Sequence, residues 1–300
     1  MQESSNQAQP SSAGGKFREL LDRPGALLLP GVYDALSARL ADRAGYPALY
    51  MSGSAVAMSL LGFPDLGLLS ATEVIEQVRR IAAAVSIPLI CDADTGYGNP
   101  LNVARTVRAI EATGSAGLQL EDQEFPKRCG HFEHKKVVAQ REMVMKIRAA
   151  CDTRRDRDFV IVARTDALSV LGVDTAIERA LAYKDAGADV LFVESPHTID
   201  ELREIGRRLP GPLMVNVVEG GRTPHLDFSE YQALGFKLIL YPTISIRVVA
   251  RAVESLLRHL QENRTSLGFP GGFVSFEERN EITDLATYQQ MEERYAVPES

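Results

Sequence analysis

Cysteine is scarce in this chain: Cys91, Cys129 and Cys151 are the only three in 300 residues. They are far apart and odd in number, so they make neither a disulfide framework nor a paired zinc motif. A reducing, cytoplasmic setting is expected. No apolar run approaches the roughly 18 residues of a membrane span, and no membrane partner is expected. Basic charge is short as well, 33 Lys and Arg against 40 Asp and Glu for a net charge of −7. That balance argues against a general nucleic-acid binder. The opening MQESSNQAQPSSAGG lacks both the apolar core of a signal peptide and the arginines of a transit peptide. Residues 1–15 are expected to be a disordered tail. A Gly-x-Gly-x-x-Gly turn, the mark of a doubly wound dinucleotide-binding sheet, is also missing.

What is present is a rhythm of short apolar run, loop and amphipathic helix. The runs are ALLLPG (26–31), ALYMSG (48–53), PLICDAD (88–94), GLQLED (117–122), FVIVART (159–165), DVLFVES (189–195), PLMVNV (212–217) and KLILYP (237–242). Each is nearly continuous in Val, Ile or Leu, as parallel strands buried on both faces are. Eight such units predict an α/β fold, a (β/α)8 barrel over residues 16–260. The remainder, 261–300, reads as a Gly-rich connector and one acidic amphipathic helix, FEERNEITDLATYQQMEERY. That segment either caps the barrel or reaches a neighbouring subunit.

Polar residues collect at the C-terminal ends of the runs: Ser52, Asp92, Asp94, Glu121, Asp122, Arg164, Asp166, Glu194, Asn216 and Tyr241. In a barrel these share one mouth, where barrel enzymes keep their chemistry. Asp92 and Asp94, two apart on one strand, point to the same face, and Glu121 closes the next strand. Carboxylates packed this closely drive one another to protonate unless a cation joins them. Oxygen-only ligands suit Mg2+, with Mn2+ as its substitute; salt bridging or helix capping is the plainer alternative. Asp65, in LLGFPDLG, fits a further metal carboxylate and an Asp of a Pro-initiated turn equally well. Cys129 sits in KRCGH between cations and a Gly-His pair, a setting that tunes a thiol as an acid. Cys91 reads as packing, and Cys151 as incidental.

In this order, GVYDALSARLADRAG, YMSGSAVAMSLLGFPDLG, CDADTGYGN, LQLEDQ, PKRCGH and ARTDA resemble the isocitrate lyase/phosphoenolpyruvate mutase superfamily, from about residue 17 to the C-terminus. The resemblance implies a homotetramer, a dimer of dimers, with the last helix exchanged between subunits. It carries the metal onto Asp92 and Asp94, with Asp65 and Glu121 on metal-bound water. It carries substrate binding onto Ser52, Gly53, Ser54, Gly130, His131, Glu194 and Asn216, and catalysis onto Cys129, Arg164 and Tyr50. Carbon–carbon lyases of the superfamily use the KRCGH cysteine as the acid that protonates the departing carbanion, and Tyr50 is the candidate base. The stretch 124–136 corresponds to a mobile gating loop.

Two arginines, Arg247 in LYPTISIR and Arg279 in EERNE, match the positions that bind a third carboxylate in the methylisocitrate-cleaving branch. The expected activity is therefore Mg2+-dependent cleavage of 2-methylisocitrate to pyruvate and succinate. The substrate is a small di- or tricarboxylate. Dimethylmalate lyase, oxaloacetate hydrolase and phosphonomutase chemistry are the alternatives, and VEGGRTP (218–224) looks more like the dimethylmalate and mutase branches.

Overall fold

The computed structural model describes residues 11–130, 132 and 134–297. It divides into two compact units, one ending at Ser245 and the other beginning at Ile246.

The first unit contains eight parallel strands: β1 Leu27–Val32, β2 Leu49–Met51, β3 Leu89–Asp92, β4 Gly117–Glu121, β5 Val160–Thr165, β6 Val190–Val193, β7 Leu213–Asn216 and β8 Leu238–Tyr241. They pair in sequence order and close into a barrel. The closing seam sets Leu27 opposite Leu238 and Pro30 opposite Tyr241. Seven fall inside the apolar runs read from the sequence, and β1 extends one residue past its run, to Val32. Inward side chains of Leu29, Tyr50, Ile90, Val162, Phe192, Met214 and Leu240 fill the interior.

Helices return the chain between strands, and local chemistry fixes where they start. The helix Ala71–Ala84 opens with a capping box between Ser70 and Glu73, the helix Ile199–Arg208 with one between Thr198 and Glu201, and Pro100 begins a helix behind Asn99.

The structure corrects the tail boundary. A helix runs from Ala13 to Asp22, and Ser12 Oγ accepts a hydrogen bond from the Gly15 amide at 3.0 Å. Residues 12–15 are therefore structured. Phe17 and Leu20 from this helix join the barrel core beside Ala48 and Ala116 at the strand starts, so the helix stoppers the N-terminal end. Gly14 permits the approach, because a Cβ there would stand 2.5 Å from the Asp158 carbonyl oxygen.

The second unit contains most of the long helix Ile244–Asn263 and two shorter helices, Phe276–Ile282 and Leu285–Arg294. A single acidic helix is expected there, but the chain breaks at Asp284, whose φ of 60° is left-handed. An Asp tolerates that conformation through its short polar side chain. His259 and Phe269 meet edge-on at 5.6 Å, and Phe269 packs on Phe273 at 5.6 Å. Arg247 and Arg279 belong to this unit and are both exposed. The Arg279 guanidinium lies over the Phe276 ring at 4.6 Å.

Candidate active site

At the C-terminal mouth, the ends of β3 and β4 bring the acidic residues together in near-complete burial. Asp92 Oδ1 accepts from the Asp94 amide at 3.1 Å and from Gln119 Nε2 at 3.1 Å. Burial first, and Asp94 second, raise the Asp92 pKa to about 6. Glu121 is 1% exposed, and neither of its carboxylate oxygens has a hydrogen-bond donor. Burial pushes its pKa well above the carboxylate range, although Arg164 Nε stands 3.5 Å from Oε2 and opposes the shift.

Around this cluster, Gly53 allows a close approach, since a Cβ there would come within 2.9 Å of Asp92 Oδ2. Ser52 Oγ caps the turn that follows by accepting from the Ala55 amide at 3.3 Å. Ser54 is half-buried in that same turn.

Tyr50 does not suit the role of base. Its hydroxyl donates to Gln119 Oε1 at 2.7 Å. Burial, then Asp92, push its pKa well above that of an ordinary phenol, the opposite of what proton abstraction near neutrality requires.

The KRCGH segment enters the mouth with its lysine leading. Lys127 is 4% exposed, and its ammonium contacts Asp65 Oδ1 at 2.5 Å and Asp94 Oδ1 at 2.9 Å. Burial opposes the charge, but Asp94, Asp65, Glu121 and Asp92 together outweigh it and hold the Lys127 pKa well above its usual value. Lys127 is thus the cluster's own cation rather than only a neighbour that tunes the thiol. Cys129 follows, half-buried, with its amide donating to the Asp65 carbonyl at 3.2 Å. None of the three cysteines is in a disulfide. Gly130 packs directly on the site: a Cβ there would stand 2.5 Å from Arg164 Nη2 and 2.5 Å from Glu194 Oε1. His131 lies outside the described residues.

On the far side of the mouth, Arg164 leaves the end of β5 and is clasped by Asp166 through Nε at 2.9 Å and Nη2 at 3.0 Å. Its Nη1 faces Glu194 Oε2 at 3.6 Å, and its guanidinium lies 5.3 Å from the Phe192 ring centroid. Asn216 Nδ2 donates to both Glu194 oxygens, at 3.2 and 3.3 Å, while its own Oδ1 accepts nothing. Four residues without an assigned role in the sequence join here: Gln119, Lys135, Asp166 and Ser195. Asp122, beneath them, accepts from Thr165, Arg179 and Tyr183 side chains and from the Asp166 amide.

Do these residues fit a divalent cation? Among the described residues, no three of His, Cys, Asp and Glu are gathered as a ready ligand set. The four expected carboxylates instead surround Lys127. Mg2+ is commonly held by one or two carboxylates with water completing its shell. The hydrogen-bond-free oxygens of Glu121 and the raised pKa of Asp92 mark a region short of positive charge. The donor set fits Mg2+ on that basis.

A closed parallel barrel with buried carboxylates, an arginine and a seated thiol loop at its mouth is the frame of a barrel enzyme. The phosphoenolpyruvate phosphomutase family model matches residues 17–261. The chain is 45% identical over 286 residues to 2,3-dimethylmalate lyase of Eubacterium barkeri, covering 95% of this chain and 99% of that one. It is 42% identical over 284 residues to 2-methylisocitrate lyase of Escherichia coli, covering 94% and 95%. The structure of an oxaloacetate acetylhydrolase in complex with 3,3-difluorooxalacetate superposes with a TM-score of 0.91 at 36% identity, covering 97% of this chain and 100% of that one. The chain belongs to the phosphoenolpyruvate mutase/isocitrate lyase superfamily and is one of its enzymes.

Proposed function

We propose that the protein is a Mg2+-dependent carbon–carbon lyase that releases pyruvate from a 2-hydroxy-2-methylsuccinate bearing a substituent at C3. The first substrate is 2-methylisocitrate, whose other product is succinate. The carrying observation is the seating of the thiol loop: Lys127 enters the carboxylate cluster while Gly130 lies against Arg164 and Glu194. That arrangement holds Cys129 at the mouth of the barrel. Asp92 and Asp94 would hold Mg2+, with Asp65 and Glu121 beside them, and the ion would supply a Lewis acid for the hydroxy-acid end of the substrate.

The chain's own residues then do the following. Ser52, Gly53 and Ser54 line the hydroxy-acid end, and Tyr50, held by Gln119, orients rather than abstracts. The hydroxyl proton passes into the carboxylate cluster at the ends of β3 and β4. The C2–C3 bond breaks, C2 becomes the keto carbon of pyruvate, and the electron pair moves onto C3 and its carboxylate. Arg164 opposes that charge, with Glu194 and Asn216 fixing its surroundings. The Cys129 thiol returns a proton to C3.

2-Methylisocitrate and 2,3-dimethylmalate share the pyruvate half and differ only in whether C3 carries an acetate arm or a methyl group. Arg247 and Arg279 are assigned to the arm's carboxylate, because bidentate guanidinium is its natural partner. The second reading, 2,3-dimethylmalate cleaved to pyruvate and propionate, draws support from the 45% identity to such a lyase and from VEGGRTP. Exposed apolar residues of the second unit, Val248, Leu257 and Phe276 among them, support the tetramer with exchanged C-terminal helices. No helix among the described residues is long and apolar enough to cross a membrane.

The test is release of pyruvate from 2-methylisocitrate and 2,3-dimethylmalate, and of oxalate from oxaloacetate, with Mg2+ or EDTA, by the wild type and Cys129→Ser. Metal- and Cys129-dependent pyruvate from 2-methylisocitrate is expected. Pyruvate from dimethylmalate alone moves the assignment to the second reading. Cleavage of oxaloacetate alone, to oxalate and acetate, overturns both.

A further inference from the structure

Lys135 carries no role in the reading above, and its position is costly. It is 7% exposed, and an ammonium withdrawn this far from water must be matched by protein groups. Two groups match it, and they come from opposite sides of a junction. Lys135 Nζ donates to the Gly130 carbonyl at 2.5 Å, on the loop itself, and to Asp166 Oδ1 at 2.8 Å, at the end of β5. Ser195 Oγ, past the end of β6 where Ser195 takes a left-handed φ of 55°, stands 3.0 Å from the same Gly130 carbonyl and 2.8 Å from Glu194 Oε1, between which its one proton is shared. One loop carbonyl, adjacent to Cys129, is therefore held by the lysine, with the serine hydroxyl beside it.

The anchor of this grip is already in use. Asp166 Oδ1 also receives Arg164 Nη2 at 3.0 Å, so one carboxylate oxygen serves both the loop's lysine and the arginine of the site. Gly130 meets that arginine from the other side, where a Cβ would stand 2.5 Å from Nη2.

We propose that Lys135 is a positioning residue: its ammonium latches the Gly130 carbonyl to Asp166, and the latch, assisted by Ser195, presents the Cys129 thiol to the mouth in register with Arg164. This assignment rests on the reading of Cys129 as the acid, but the latch can be measured without any substrate. Lys135→Met removes the ammonium and keeps the stem's bulk, and Lys135→Arg keeps the charge.

The primary readout is the rate of Cys129 alkylation by iodoacetamide in the intact protein, followed by mass spectrometry, with half-buried Cys151 as the internal standard. The latch predicts at least a tenfold faster Cys129 reaction in Lys135→Met, about 1.4 kcal/mol of lost closure. Ser195→Ala should show a smaller rise, Lys135→Arg should lie near the wild type, and Cys151 should not change. The sign is diagnostic. Losing a nearby cation raises a thiol's pKa and slows alkylation, so a faster rate reports exposure and not electrostatics. An unchanged Cys129 rate, or equal acceleration of Cys129 and Cys151, overturns the proposal. If instead the alkylation pattern holds while no tested acid yields pyruvate, the latch stands and the substrate reading falls.

Discussion

Gly130→Ala adds a single methyl group, and the structure says where it goes. The new Cβ would stand 2.5 Å from both Arg164 Nη2 and Glu194 Oε1, whereas ordinary contact begins near 3.4 Å. Both neighbours are ends of flexible side chains, which would normally retreat at little cost. Here they are pinned. Asp166 holds Arg164 by two hydrogen bonds at 2.9 and 3.0 Å, and Asn216 holds Glu194 at 3.2 and 3.3 Å. Gly130 is not among the glycines with positive φ, so alanine brings no backbone strain of its own. What remains is overpacking, about 1–3 kcal/mol. The loop escapes that cost by lifting, so the closed population should fall about 5- to 150-fold while global stability hardly changes. The assay joins three measurements on one protein: kcat for pyruvate release, the Cys129 alkylation rate and the thermal midpoint. A lower kcat, faster alkylation and a midpoint within a few degrees are expected. Wild-type kcat and alkylation would refute the reasoning, as would a large fall in midpoint with kcat intact.

Other perturbations read other parts of the site. Lys127→Met removes the ammonium shared by Asp65 and Asp94. Mn2+ affinity of the substrate-free protein, measured by the electron-spin signal of free ion, should rise roughly tenfold, and a weaker or equal affinity contradicts the sharing. Burial raises the Asp166 pKa, but Arg164 and Lys135 outweigh it and hold the carboxyl well below the usual value. A carboxyl depressed in the folded state contributes stability that is present above its unfolded pKa, about 3.9, and lost as pH falls through the folded value. Asp166→Asn should therefore cost about 3–5 kcal/mol, unchanged from pH 7 to about pH 5, and progressively less in urea melts below about pH 4; a gap that stays constant down to about pH 3 speaks against the charge pairing. Arg247→Ala should raise KM for 2-methylisocitrate by about 10- to 100-fold, as loss of a charged hydrogen bond does, with kcat/KM for 2,3-dimethylmalate nearly unchanged. Equal losses on both acids would remove Arg247 from the acetate arm.

Much of this molecule is legible in its residues because parallel strands buried on both faces must be apolar from end to end. The run LICD shows both β3 and the polarity change that opens the mouth, and β5 in VIVART does the same with Arg164. The capping pairs Ser70–Glu73 and Thr198–Glu201 mark helix starts as plainly. Other features depend on contacts distant in sequence. Lys127 lies beside Cys129 in KRCGH, so its neighbours suggest tuning of the thiol. Only the fold of the loop carries its ammonium to Asp65, some sixty residues back in the chain. Lys135 sits in HKKVV with no period and no motif, and nothing local distinguishes it from exposed Lys136. Tyr50, within β2, has the look of a base until its hydroxyl is found donating to Gln119 from β4. The break at Asp284 escapes a reading of helical periodicity because the apolar spacing runs on across it.

The closing seam of the barrel has a consequence in time. β1 pairs with β8, Leu27 against Leu238, so the outer edge of the first strand waits for a partner made roughly 210 residues later. At about 5–20 residues per second of synthesis, that wait is on the order of 10–40 s. Through that interval LLLPGV presents unpaired amide and carbonyl groups on an apolar ribbon, the kind of edge on which chains aggregate. Translation speed between β1 and β8, and the supply of chaperones that cover such edges, should therefore weigh on the yield of active protein.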